Sequence, residues 1–136
     1  MGRKHAREGT MQLLFQMETT NDFSEEVLSS FLMNFSYTDM ESKYINDSIY
    51  NIKENLETID QYIKENLKGW SIERLAKVDL AVLRIAIYEI LYREDIPVEV
   101  SINEAIEIVK KFSNNDSFKF VNGVLGGVVK KLEIDI

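Results

Sequence analysis

Leu80-Ala81-Val82-Leu83-Arg84-Ile85-Ala86-Ile87-Tyr88-Glu89-Ile90-Leu91 is the stretch whose reading decides the fold. Wound as a helix it is apolar nearly all round, with only Arg84 and Glu89 interrupting. A helix of that kind has to be buried on every side. The sequence therefore predicts a central helix from Leu80 to about Tyr92. Asp79 reads as its N-cap, with Val78 before the cap and Leu83 four positions beyond it forming a hydrophobic staple.

Downstream, Ile96-Pro97-Val98 ends this run at the chain's single proline, and nothing else in the chain blocks a helix outright. Ser101-Ile102-Asn103-Glu104 then reads as a capping box. It opens a helix whose face is Ile102, Ala105, Ile106, Ile108, Val109 and Phe112. Ser113 to Asp116 reads as a loop. A last helix, Ser117 to about Leu132, places Phe120, Val121, Val124, Leu125, Val128 and Val129 inward. Gly123, Gly126 and Gly127 inside it each cost about 1 kcal/mol against alanine, so close approach of a neighbouring helix is expected there. They do not form a phosphate loop, because no GxGxxG follows a strand.

Upstream, Ile45, Ile49, Ile52, Leu56, Ile59 and Ile63 recur in steps of four and three, which keeps one helical face apolar. Asn55 and Thr58 are weak helix formers, so two helices with a break are expected in place of one rod. Gly69 closes the region, and Trp70 and a short turn lead on to Asp79. Nearer the start, a helix from about Lys4 to Glu18 carries Met11, Leu14 and Phe15 as its stripe, with Ala6 and Met17 at the edges. Asp22-Phe23-Ser24-Glu25 reads as a capping box for a second helix with Val27, Leu28, Phe31 and Leu32 inward. Strand signals are scarce. The fold class is all-α.

A chain of 136 residues is one domain's worth and can bury a real core. It contains no cysteine, which removes disulfides, thiolate nucleophiles and Cys-based metal sites. No apolar run reaches the roughly 18–20 residues of a membrane span, and no apolar signal-peptide core follows the basic start. The cytoplasm is the expected compartment. The net charge of −7 is unevenly placed. Arg3, Lys4 and Arg7 stand without an acid among the first seven residues. Lys110, Lys111, Lys119, Lys130 and Lys131 outnumber Asp116 near the end, and the middle is strongly acidic. Basic segments at both ends of an acidic body suggest a localised polyanion site; solvated helix faces are the plainer reading. Catalytic chemistry is missing. The single histidine, His5, sits in the basic segment without nearby carboxylates and reads as solvated or phosphate-contacting. Glu104 and Glu107 share a helix face, where a cap and an exposed charge explain them better than acid/base work. No metal, nucleotide or other cofactor motif is present, and the chain does not read as an enzyme.

Four pieces resemble the NusB family in order. They are Ala6-Arg7-Glu8 with Gln12, Leu14 and Phe15; Asp79 through Glu89; Asp95-Ile96-Pro97 with Ile102-Asn103-Glu104-Ala105 and Lys110-Lys111-Phe112; and Lys119-Phe120-Val121-Asn122-Gly123-Val124-Leu125. The resemblance implies about seven helices in two subdomains, residues 1–68 and 69–136, forming one unit over 1–136. It implies no cofactor. It implies binding to boxA-type, mostly single-stranded RNA jointly with the ribosomal protein NusE, within the antitermination complex with RNA polymerase. Carried over by motif, Arg3, Lys4 and Arg7 would meet RNA phosphates from a basic arm that contributes little to the core. Lys119 and Phe120 would lie on the RNA side, and Phe15, Arg84 and Asp116 on the partner side, of a surface shared between the two. His5 departs from the more arginine-rich versions of the basic motif.

Each of these residues also has a plainer reading. Phe120 could be core, although Val121, Val124, Leu125 and Val128 already complete an inward stripe without it. Arg84 could pair with an internal carboxylate, and Asp116 could be only an N-cap. Two other functions fit the residues less well. One is the NusB-like domain of an rRNA cytosine methyltransferase, which would need several hundred further residues and against which the native-looking Met1 counts. The other is a generic helical adaptor that does not touch RNA. Monomer and homodimer both remain open.

Overall fold

The central helix is α5 (Lys77–Tyr92), and every residue in it from Asp79 to Glu89 is buried. Six further helices surround or flank it: α1 (Arg3–Thr20), α2 (Glu25–Asn34), α3 (Asp39–Glu54), α4 (Leu56–Lys64), α6 (Val98–Phe112) and α7 (Ser117–Lys131). A 3-10 turn, Ile72–Arg74, precedes α5. This is a computed structural model that describes residues 2–114 and 116–134; among them there is no strand, and no helix is long and apolar enough to cross a membrane. α5 packs against α1, α3, α4, α6 and α7, while α2 packs on α1. One core cluster runs through all seven helices.

The break between α3 and α4 falls at Asn55, the weak helix former singled out by the sequence. Ile45, Ile49, Ile52, Ile59 and Ile63 are essentially inaccessible to solvent, so the apolar stripe survives the break. Chain reversal after α1 uses Asn21 in the left-handed region, φ 53°, which asparagine tolerates better than most residues. Gly69 does the same at φ 76° between α4 and the 3-10 turn.

Three expected helix starts shift. α2 is capped by Ser24, whose hydroxyl accepts the Val27 N–H at 3.4 Å, while Asp22 accepts the Ser24 N–H at 3.0 Å. α5 begins at Lys77, so Asp79 lies inside the first turn and Val78 is a helical residue. α6 begins at Val98 directly after Pro97, whose fixed φ is ready-made for a helix start and whose carbonyl accepts the first N–H groups. Ser101 is therefore an interior residue. One capping box went unread in the sequence: Thr38 and Glu41 close it at the start of α3, with Thr38 N–H to Glu41 Oε1 at 2.9 Å and Glu41 N–H to Thr38 Oγ1 at 3.1 Å.

The inward stripe of α7 is Val121, Val124, Leu125, Val128 and Val129, all buried. The stripe of α1 is corrected. Leu13, Leu14, Met11 and Met17 face the core, whereas Phe15 is 40% exposed. The α7 glycines divide. A Cβ at Gly127 would collide with the Asn66 side chain, but Gly123 and Gly126 have open space around them. The crowding at Gly127 comes from a side chain of the turn after α4, so close approach of a neighbouring helix explains none of the three. Gly126→Ala should raise stability by up to about 1 kcal/mol through helix propensity, read as a shift in urea midpoint. Gly127→Ala should gain less or lose stability, because Asn66 has to move.

Candidate nucleic-acid interface

Arg3, Lys4, His5 and Arg7 occupy the first turn and a half of α1, so the basic segment is helical from Arg3 onward. Its residues differ in burial. Arg3 and Lys4 are exposed. Arg7 is 5% exposed and faces inward, where its Nε and Nη2 donate to Glu89 at 2.8 and 3.1 Å. Its remaining nitrogen lies 3.7 Å from Glu104. The sequence reading of Arg7 as a phosphate contact on a loose arm is corrected: it lies on the same face as Arg3 one turn further along α1, where that face meets the buried Glu89 carboxylate. His5 is also not free, because its ring packs edge-on against Tyr37 at 5.0 Å.

Two ion pairs link α1 to α6: Arg7 to Glu104 at 3.7 Å and Glu8 to Lys111 at 3.1 Å. Arg3, Lys4 and Arg7 share a shallow groove of about 400 Å³ with Asp95, Pro97 and Val100 at the start of α6. Asp95 is neutralised locally: Arg93 donates to both its oxygens at 2.8 Å and holds its carboxyl down to about 2. The exposed cations keep their field. Among the described residues neither Arg3, Lys4 nor Lys119 enters an ion pair.

A second, larger groove of about 790 Å³ opens beyond the other end of α6. Asp116, Lys119 and Phe120, all expected from the sequence, line it together with Trp70, Arg74 and Lys130. Phe120 is half-buried and packs on the core edge, neither sealed in nor fully free. Asp116 is exposed and makes no side-chain cap; Asn114 Oδ1 accepts the Asp116 and Ser117 N–H groups instead. The start of α7 is further pinned by Asp79, which accepts from the hydroxyls of Ser113 and Ser117 at 3.0 and 2.9 Å. Trp70 and Arg74 had not been singled out. The Arg74 guanidinium lies 5.0 Å over the Trp70 ring, across the turn that leads to α5. Along an α-helix Phe15 stands roughly 18 Å from Arg3.

Arg84 is not on either surface. It is 5% exposed, forms a two-pronged pair with Asp60 at 3.0 and 2.9 Å, and donates to Glu18 at 2.7 Å. The internal-carboxylate reading holds, and direct partner contact by Arg84 is corrected. Removing one side of a buried, hydrogen-bonded ion pair leaves the other charge stranded. Arg84→Met should therefore cost about 3–5 kcal/mol in chemical denaturation, whereas a surface arginine would fall within about 0.5 kcal/mol of wild type.

This geometry can be set beside known proteins. The NusB family profile matches residues 4–130. The chain is 47% identical over 133 residues to the transcription antitermination protein NusB of Clostridium novyi, covering 96% of this chain and 99% of that one. It is 44% identical over 130 residues to the protein of the same name from Acetivibrio thermocellus, covering 96% and 90%. Among solved structures, T. maritima NusB superposes with a TM-score of 0.89 at 41% identity, over 96% of this chain and 92% of that one. A chain from the crystal structure of antitermination factors NusB and NusE in complex with dsRNA superposes at 0.83 with 25% identity, over 95% and 96%. These relatives bear the names of antitermination factors, not of enzymes. The buried central helix, α1 from Lys4 onward and the grooved α7 start all lie within the matched residues 4–130, and the chain belongs to the NusB family.

Proposed function

We propose that this protein is an RNA-binding transcription antitermination factor. It binds boxA-type, mostly single-stranded RNA jointly with ribosomal protein NusE, within the antitermination complex with RNA polymerase, in support of rRNA transcription. It works in the cytoplasm, catalyses nothing, and needs no cofactor. The observation that carries the reading is the pair of cationic surfaces on a chain of net charge −7: Arg3 and Lys4 at one end of α6, Lys119 beside Phe120 at the other. Unpaired cations supply sequence-independent attraction to phosphates. A half-exposed aromatic ring beside a lysine suits stacking of an unpaired base. Phe15, exposed on α1, and Asp116, which lines the second groove, are assigned to NusE. Arg84 supports that surface from inside by tying α5 to α1 and α4. The helical halves 1–68 and 69–136 act as one unit, because α5 packs against helices from both.

A titration of boxA-like single-stranded RNA, with and without NusE, tests this. Weak binding alone and much tighter binding with NusE are expected; equal affinities would remove the loading role. With Arg7 buried, three cations remain for phosphates: Arg3, Lys4 and Lys119. At about −0.7 per contact for single strands the log–log salt slope should be about −2, so affinity should fall on the order of twentyfold between 50 and 200 mM salt. A flat salt response would exclude these cations from the interface.

A further inference from the structure

We infer that Glu41 is a positioning residue for RNA binding: from α3 it holds the basic first turn of α1 in place before any RNA arrives. The inference rests on the proposed RNA-binding role of Arg3 and Lys4. Glu41 is buried, and its two oxygens have different duties. Oε1 accepts the Thr38 N–H and closes the capping box of α3, while Oε2 accepts the Gly2 N–H at 2.5 Å. Gly2 takes φ 79°, a conformation open to glycine at little cost, and its carbonyl then accepts the Ala6 N–H as the first helical bond of α1. One carboxylate thus caps its own helix and anchors the start of another.

Two neighbouring contacts from the same junction point the same way. The Arg3 guanidinium lies 5.0 Å over the Tyr44 ring, one turn along α3 from Glu41. His5 packs on Tyr37, and Tyr37 in turn lies so close to Gly9 that a Cβ there would strike its ring. The anion at the start of α1, where a helix dipole favours one, is supplied by α3, because the first turn of α1 contains no acidic residue. A turn ordered in advance does not have to be ordered when RNA binds, and that saving appears as affinity.

Glu41→Gln separates this role from simple folding and from simple charge. Glutamine still closes a capping box through its oxygen, but the amide nitrogen that replaces Oε2 cannot accept the Gly2 N–H. Removing a negative charge should by itself tighten RNA binding; loss of positioning should weaken it. With NusE present, Glu41→Gln should weaken boxA-like RNA binding at least about fivefold. NusE binding without RNA should be unchanged, and amide exchange at residues 3–7 should quicken. Gly2→Ala, which strains the same turn without touching α3, should act likewise, and it decides the matter if Glu41→Gln fails to fold. RNA affinity equal to or tighter than wild type, or unchanged exchange at the turn, would overturn the inference. The double variant Arg3→Ala, Lys4→Ala run in parallel separates the two levels. If it weakens RNA binding and Glu41→Gln does not, only the positioning role fails. If neither does, the RNA-binding assignment of the basic turn fails with it.

Discussion

The Glu89 carboxylate, buried at the centre of the bundle, is the constraint on which the rest of the structure depends. It is 1% exposed and accepts hydrogen bonds from three other helices: Arg7 of α1, the Tyr44 hydroxyl of α3, and Ser101 of α6 at 2.7 Å. A buried charge is tolerated only when it is paired and its lone pairs are filled. Burial, reinforced by the Glu89 charge, pushes the Tyr44 hydroxyl well above its usual range, so it stays a proton donor. The acceptor geometry leaves α1, α3 and α6 one register each against α5. Apolar packing alone would tolerate a slide of one turn more readily than this carboxylate does.

Glu89 is one of three such rungs. Asp79, Arg84 and Glu89 are all buried on α5, five residues apart, and five residues turn a helix face by about 140°. Each rung therefore addresses different neighbours. Asp79 fixes the start of α7 through Ser113 and Ser117, Arg84 fixes α4 and α1 through Asp60 and Glu18, and Glu89 fixes α1, α3 and α6. The consequence for function is direct. The two surfaces assigned to RNA are the first turn of α1 and the start of α7, and each is set by a rung. Arg7 is the link between interior and surface: it anchors α1 to Glu89 one turn beyond Arg3 and so holds the helix that carries the exposed Arg3 and Lys4.

Much of this was legible in the sequence, for physical reasons that also mark where legibility stopped. A run as uniformly apolar as Leu80–Leu91 has no alternative to burial, and the 4-3-4-3 isoleucine steps break only where Asn55 weakens the helix. The all-α class followed from such local signals, whereas Asp116, Lys119 and Phe120 were pointed to by the family resemblance, and only the structure brings them into one groove. Partners distant in sequence did not. Arg7 reads as a surface cation because Glu89 lies eighty-two positions away, and no local pattern announces that pairing. Ser101 and Asp79 resembled caps because Ser and Asp favour caps, yet both spend their side chains on tertiary hydrogen bonds. Pro97 was the stronger signal for the start of α6. Thr38-Asp39-Met40-Glu41 carries the S/T-x-x-E pattern of a capping box, yet no local pattern announces that Glu41 also anchors Gly2.

A double-mutant cycle on Arg7 and Glu89 tests the central claim most directly. Stability of wild type, Arg7→Met, Glu89→Met and the double variant would be measured by urea unfolding. If the Glu89 carboxylate and the Arg7 guanidinium hold each other in the core, each single change strands the opposite charge and costs about 3–5 kcal/mol. The double variant should then lose less than the sum by about 2 kcal/mol or more. Additive losses, or single losses below about 1 kcal/mol, would contradict a bundle whose register is set by this carboxylate.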